Sequence, residues 1–119
     1  MFDHEKLKVY QQSVQFVAWT HELLTNVPKT LSVHNQLERA ATSVPLNIAE
    51  GNGKHTPRDR CKYFDTARGS ALECAACLDV LVAKEACQEE RIMTGKQMLS
   101  DTVAMLVGLI RANSKDREI

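Results

Sequence analysis

Glycine and proline are scarce in this 119-residue chain, which contains five and three of them, and no low-complexity run is present. Together with an ordinary content of apolar residues, this scarcity excludes an intrinsically disordered chain. Charge of one sign is not in excess either, because 15 lysines and arginines balance 15 aspartates and glutamates. The overall electrostatic field therefore gives no reason to expect a polyanionic or an acidic partner.

Long hydrophobic runs are also missing. The first six residues lack the apolar core of a signal peptide, and no segment approaches the length of a membrane span. We therefore expect a cytoplasmic protein with no membrane partner. Its length predicts one domain over residues 1–119, whose core needs no disulfide or metal to hold it.

The motifs of common catalytic and cofactor sites are absent. No glutamate is followed by a histidine three residues later, which is the pair that binds two iron ions in helical bundles. The one Gly-x-Gly sequence, Gly51 to Gly53, follows a helical pattern rather than a strand, so it is not a dinucleotide-binding loop. We expect no enzyme, no metal and no cofactor. For His21, a place in the core or at an interface and a role as haem ligand are both open.

Four cysteines are present, and two of them form a C-x-x-C pair at Cys74 and Cys77. Redox pairs of this kind lie at the N-terminus of a helix, whereas this pair lies in the middle of a predicted helix. Cys61 and Cys87 are at opposite ends of the same helix, too far away to complete a zinc site. The pattern predicts four reduced cysteines that pack as small apolar residues.

Apolar residues recur at helical spacing through nearly the whole chain, and no strand pattern competes. Capping and breaking signals divide the pattern into four helices at about residues 4–26, 33–50, 57–86 and 89–113. Asp3, Ser32 and Thr56 are the predicted N-caps, and Gly51 is the predicted left-handed stop of helix 2. Short connections predict an all-α, antiparallel up-down four-helix bundle with a charged, frayed tail from Ser114 onwards.

Helices 1 and 3 each show two apolar stripes. In helix 1 the stripe predicted to face the core is Leu7, Tyr10, Val14, Val17, His21 and Leu24, and the second is Val9, Phe16, Leu23 and Val27. In helix 3 the stripe predicted to face the core is Cys61, Phe64, Arg68, Ala71, Ala75, Leu78 and Val82. The second stripe of helix 3 is Ser70, Cys74, Cys77 and Leu81. One bundle core uses one stripe of each helix, so the other is predicted to lie between subunits. Trp19 falls outside the main stripe and is interpreted as a surface contact.

Helix 2 carries an unusual polar face, with Arg39, Ser43, Asn47 and Glu50 on the side opposite its apolar residues. Arg68 falls on the predicted inner stripe of helix 3, where a guanidinium needs a carboxylate, and Glu50 and Glu73 are the candidates. We interpret these residues, with Ser70, as a hydrogen-bonded network that specifies assembly. The alternative is that they are ordinary surface charges.

These same residues carry a resemblance. The run Arg-Ala-Ala-Thr-Ser-Val-Pro-Leu-Asn-Ile-Ala-Glu-Gly at 39–51 and the motif Gly-Ser-Ala-Leu-Glu at 69–73 resemble the signature of the four helix bundle protein family, first noticed in intervening sequences of bacterial 23S ribosomal RNA genes. The similarity extends from Phe2 to about Ile110. It implies a small cytosolic bundle that forms a five-fold ring, a homopentamer, with no known catalysis. A related branch, the accessory variability determinant proteins of diversity-generating retroelements, binds reverse transcriptase and nucleic acid.

Charge is unevenly distributed along the chain. A basic segment surrounds the predicted start of helix 3, and an acidic segment spans Glu73 to Asp101. The two segments either pair with each other or leave a basic patch that contacts nucleic acid through Lys54, Arg58, Arg60 and Lys62.

Three functions are therefore open. The first is a non-enzymatic, ring-forming interaction or scaffold module. The second is an accessory factor that binds RNA or DNA weakly and without sequence preference, and the third is a cofactor-dependent enzyme.

Overall fold

The computed structural model describes residues 1–114, so most of the predicted charged tail lies outside the described residues. A 3₁₀ turn at Asp3–Lys6 precedes four α-helices: α1 Lys8–Leu24, α2 Ser32–Asn52, α3 Pro57–Ala83 and α4 Glu89–Ala112. Each helix packs against the next, α1 closes the ring of contacts with α4, and within residues 1–114 the diagonal pairs do not meet. The predicted all-α, antiparallel four-helix bundle is confirmed. In this part of the chain no helix is long and apolar enough to cross a membrane.

The start of α3 has the capping structure that the sequence predicts. The hydroxyl of Thr56 accepts a hydrogen bond from the backbone N–H of Asp59 at 3.1 Å, and Pro57 occupies the first helical position. The helix ends at Ala83, earlier than the predicted residue 86. It ends there because the chain closes a Schellman motif, in which the N–H of Ala86 donates to the carbonyl of Leu81 at 2.9 Å. Glu85 takes the left-handed position, with φ of 58°.

The predicted start of helix 1 is wrong, and its predicted inner stripe holds only in part, since Leu24 is buried and Val17 packs against the core. Asp3 caps no helix, because Leu7 occupies the N-cap position of α1. The stripe predicted as secondary, with Val9, Phe16 and Leu23, faces the core, whereas Val14 and His21 are exposed. Two buried polar residues, Ser13 and Thr20, interrupt the apolar stripe that faces the core, so this stripe is hard to recognise in the sequence. The Ser13 hydroxyl donates a hydrogen bond to the carbonyl of Tyr10 at 2.7 Å.

The predictions for both ends of helix 2 are also wrong. Leu31 rather than Ser32 occupies the N-cap position, and Gly51 lies inside the helix, which continues to Asn52. Gly51 is buried against α3, where a Cβ atom would lie 2.9 Å from side-chain atoms of both Tyr63 and Phe64. Glycine is therefore needed here for close helix approach and not for a left-handed turn.

Residues from both of the stripes predicted for helix 3 lie in the core. Ala71, Cys74, Leu78 and Leu81 are fully buried, whereas Arg68 is only half-buried. The largest side chains that are fully buried come from all four helices: Phe16, Leu37, Ile48, Phe64, Leu78, Leu81, Leu106 and Ile110. Pro45 is buried within α2, which stays helical through it.

The four cysteines are free thiols, as the sequence predicts, and three of them are buried. Burial, with the neighbouring Cys77 and Glu73, raises the pKa of Cys74 to about 12. Burial also raises the pKa of Cys77 and of Cys87. The C-x-x-C pair therefore has the opposite electrostatic character from a redox pair, whose thiol pKa is lowered.

Candidate functional site

A chain of hydrogen bonds joins α2 to α3 at the centre of the predicted polar network. The Ser43 and Ser70 hydroxyls lie 2.9 Å apart, and the Asn47 amide donates to the Ser43 hydroxyl at 3.0 Å and to its carbonyl at 2.9 Å. Two small side chains face each other here, so the helices approach closely and each hydroxyl retains a partner. We call this group of three residues the polar seam.

A groove of about 440 Å³, which we call the α2/α3 groove, opens beside the polar seam. Ser43 and Ser70 line it together with Arg39 and Glu73. Arg39 and Glu73 are exposed, and among residues 1–114 neither side chain makes a hydrogen bond or an ion pair. Five of the seven residues assigned to the network therefore gather along one line between α2 and α3.

Glu50 and Arg68 do not join them. Glu50 pairs with Lys54 one turn away at 3.4 Å. Arg68 lies on the other flank of α3, because it shares a helical face with Leu72 and Ala75, which line a groove against α4. Its Nε atom is buried and has no hydrogen-bond partner within the described part of the chain, so neither predicted carboxylate reaches it.

A groove of about 600 Å³ lies between α1 and α2, and we call it the α1/α2 groove. Its apolar lining comes from Val17, Leu24, Ala41 and Leu46. Thr20 also lines it, and its buried hydroxyl oxygen has no hydrogen-bond partner in residues 1–114. Because the sequence shows no motif here, only the packing of α1 against α2 reveals the groove.

Pro45 removes one backbone hydrogen bond from α2 beside this groove. A proline has no N–H, so the carbonyl of Ala41, one turn earlier, lacks its usual helical donor. Ala41 itself lines the groove. The α1/α2 groove thus combines an apolar lining with one residue, Thr20, whose buried hydroxyl oxygen has no hydrogen-bond partner among residues 1–114.

Large apolar side chains are exposed on two opposite faces of the bundle. Leu46 is 64% exposed beside the α1/α2 groove, and Leu72 is 50% exposed beside a groove of about 320 Å³ between α3 and α4. We call the second one the α3/α4 groove. The cyclic order of the helices places the α1/α2 and α3/α4 faces on opposite sides.

The predicted basic patch is divided by the structure. The Arg60 guanidinium is occupied internally, because it donates to the Asn52 carbonyl at 2.7 Å and to the Asn113 side-chain oxygen at 2.9 Å. It joins the α2–α3 loop to the end of α4 and is not available for a phosphate. Lys54 and Lys62 lie over the Tyr63 ring, 5.2 and 5.8 Å from its centroid.

Arg58 stays exposed in the first turn of α3, and among the described residues its side chain has no partner. The basic and acidic segments do not pair with each other in residues 1–114. The acidic segment instead forms its own ion pair, between Lys96 and Asp79 at 2.7 Å.

The described residues contain no cluster of three or more histidines, cysteines and carboxylates that could hold a metal ion.

A solved structure resembles this fold closely. It is a protein of unknown function from the S23 ribosomal protein family of Bacteroides thetaiotaomicron, with a TM-score of 0.79 and 22% sequence identity over 87% of this chain and 98% of that chain. This likeness shows the shared fold. No curated protein matches the chain. The family model of the 23S rRNA-intervening sequence protein matches residues 5–108. The chain therefore belongs to the 23S rRNA-intervening sequence protein family.

Proposed function

We propose that this protein is a non-catalytic, cytoplasmic interaction module that assembles head-to-tail into a closed ring. The observation that carries the proposal is the pair of exposed apolar patches around Leu46 and Leu72, which lie on opposite faces of one bundle. A two-fold dimer buries the same patch from both subunits, whereas two different patches favour a heterologous contact, which forms a ring when the rotation between subunits closes. The family resemblance favours five subunits.

The energetics support burial of these patches. Burying a fully exposed leucine side chain contributes about 1.5–3 kcal/mol, so a subunit contact that covers the exposed parts of Leu46 and Leu72 gains about 2–3 kcal/mol from these side chains.

Sedimentation velocity and light scattering at micromolar concentration test the ring. We expect a mass about five times that of the 13.3 kDa chain. Leu46→Asp is expected to yield a monomer with unchanged helicity. Phe2→Asp is the matched control, because Phe2 is exposed but lies in the N-terminal turn outside both patches, and its mass should remain that of the wild type. A monomeric wild type would overturn the proposal.

Weak nucleic-acid binding is the second candidate, and exposed Arg58 favours it. This side chain lies at the N-terminus of α3, where the helix dipole and free N–H groups attract phosphate, and Lys62 follows one turn later. Repetition around a ring multiplies such weak contacts.

An electrophoretic shift with single-stranded RNA at low salt tests this second function. Charge reversal at Arg58 and Lys62 should abolish a salt-sensitive shift, and Lys84→Glu, at the opposite end of α3, should not. Arg60 is unsuitable for this test because its loss would detach the loop from α4. If the wild type shows no shift, the partner is a protein.

A further inference from the structure

Arg68 has a buried side-chain N–H group for which the described residues supply no hydrogen-bond acceptor. Its Nε atom is buried, yet no hydrogen-bond acceptor reaches it within residues 1–114. A charged donor withdrawn from water without a partner is strongly unfavourable, and natural proteins rarely leave one so. The planar guanidinium is suited to a carboxylate, which accepts two parallel hydrogen bonds from it.

The surroundings of Arg68 form one continuous surface. Arg68, Leu72, Ala75 and Asp79 follow each other at spacings of four, three and four residues along one face of α3. Asp79, at one end, is already paired with Lys96 at 2.7 Å. The middle is apolar, with Leu72 half exposed, and Arg68 at the other end has no ion-pair partner among residues 1–114.

The opposite face of the bundle offers a complementary surface. Of the described residues that line the α1/α2 groove, Glu38 is the one carboxylate, and the neighbouring Arg39 is the one arginine. Glu38 is exposed, and within residues 1–114 its side chain makes no hydrogen bond or ion pair, since only its backbone carbonyl is used, by the Thr42 hydroxyl at 3.0 Å. Val17 and Leu46 supply the adjoining apolar surface.

We propose that Arg68 of one copy donates a hydrogen-bonded ion pair to Glu38 in the α1/α2 groove of the next copy, while Leu72 enters that groove between Val17 and Leu46. This inference rests on the proposed ring and names the contact that specifies it. Arg68 and Leu72 are about 6 Å apart along α3, and Glu38 and Leu46 are about 12 Å apart along α2. The arginine side chain is long enough to cover the difference between these two spacings. Because the donor and the acceptor lie on different faces, the same pair can form between every two successive copies of a ring.

Charge exchange tests the pair by sedimentation over a dilution series. Arg68→Glu and Glu38→Arg should each raise the dissociation constant of the ring about tenfold or more, because each places two like charges in contact. The chain that carries both substitutions should recover the wild-type mass, since the pair is restored with its order reversed. Glu73→Arg is the matched control, because Glu73 lies on the other flank of α3, and its mass should not change.

The conservative variant Arg68→Lys separates the ion pair from folding. It keeps the charge but loses the two-pronged hydrogen bond, so it should weaken the ring several-fold with unchanged circular dichroism. If both single reversals keep the wild-type mass while Leu46→Asp yields a monomer, the ring stands and the Arg68–Glu38 pair is wrong. The pair is also wrong if the double reversal fails to restore the ring. A monomeric wild type instead overturns the proposed function itself.

Discussion

The indole ring of Trp19 lies on Gly95, in the space that a Cβ atom at that position would occupy. Trp19 also stacks on Phe16, with ring centroids 5.6 Å apart, and the Arg91 guanidinium lies 5.5 Å from its ring. The residue therefore joins α1 to α4 inside one subunit, and its interpretation as a surface contact is wrong. Gly95 makes this packing possible because it has no side chain.

Gly95→Ala is expected to destabilise the fold by about 1–3 kcal/mol, because the added methyl group collides with the Trp19 ring. Gly108 is the matched control in the same helix. A Cβ atom there meets nothing within 4 Å, so Gly108→Ala should stabilise the protein by about 0.5–1 kcal/mol through helix propensity. Urea unfolding measures the change in unfolding free energy for both substitutions. A change in the same direction for the two would contradict this account.

The contact between the Ser43 and Ser70 hydroxyls should be energetically coupled. Either serine changed to alanine leaves the other with one partner fewer at a half-buried site. A double-mutant cycle on the free energy of unfolding is expected to show a coupling of about 0.5–1.5 kcal/mol. Thr66→Ala paired with Ser43→Ala serves as the control, because Thr66 bonds only within its own helix. Additive effects for the serine pair would show that the polar seam is not a unit.

Glu85→Gly should stabilise the protein by about 1 kcal/mol. Glu85 has a φ of 58° in the Schellman motif that ends α3, and a side chain is unfavourable in this left-handed conformation. Glu85→Ala is the control, since alanine has the same conformational strain and should gain nothing. Thermal unfolding compares the two variants, and an equal gain from alanine would mean that the glutamate charge, rather than backbone strain, is responsible.

Stability should fall at alkaline pH because of Cys74. Its pKa is raised from 9.0 to about 12 in the fold, so the folded state favours the protonated thiol. The resulting contribution is complete below pH 9, where the unfolded thiol is protonated too, and it is lost as the pH rises from 9 towards 12. Under reducing conditions, the fall in unfolding free energy between pH 8 and pH 10.5 should be smaller for Cys74→Ala than for the wild type. An identical fall in both proteins would rule out Cys74 as the cause.

Local signals in the sequence determined the number and kind of elements. Thr56 with Pro57 and Asp59 forms a cap within four consecutive residues, so its structure needs no distant partner. The same holds for the spacing that places Ser43 and Asn47 on one face of α2. The four helices and the polar face of α2 therefore follow from local sequence, whereas the contact between Ser43 and Ser70 depends on how α2 packs against α3.

Tertiary packing alone decided which face of α1 is buried and what Gly51, Gly95 and Trp19 do. Two stripes of similar apolarity compete on α1, and the outcome depends on the summed burial against α2 and α4, which no local pattern contains. A glycine required for close helix approach looks in sequence like one required for a turn. The unpaired Nε of Arg68 is likewise a property of three-dimensional distance, because sequence reveals that a guanidinium needs an acceptor but not whether one is within reach.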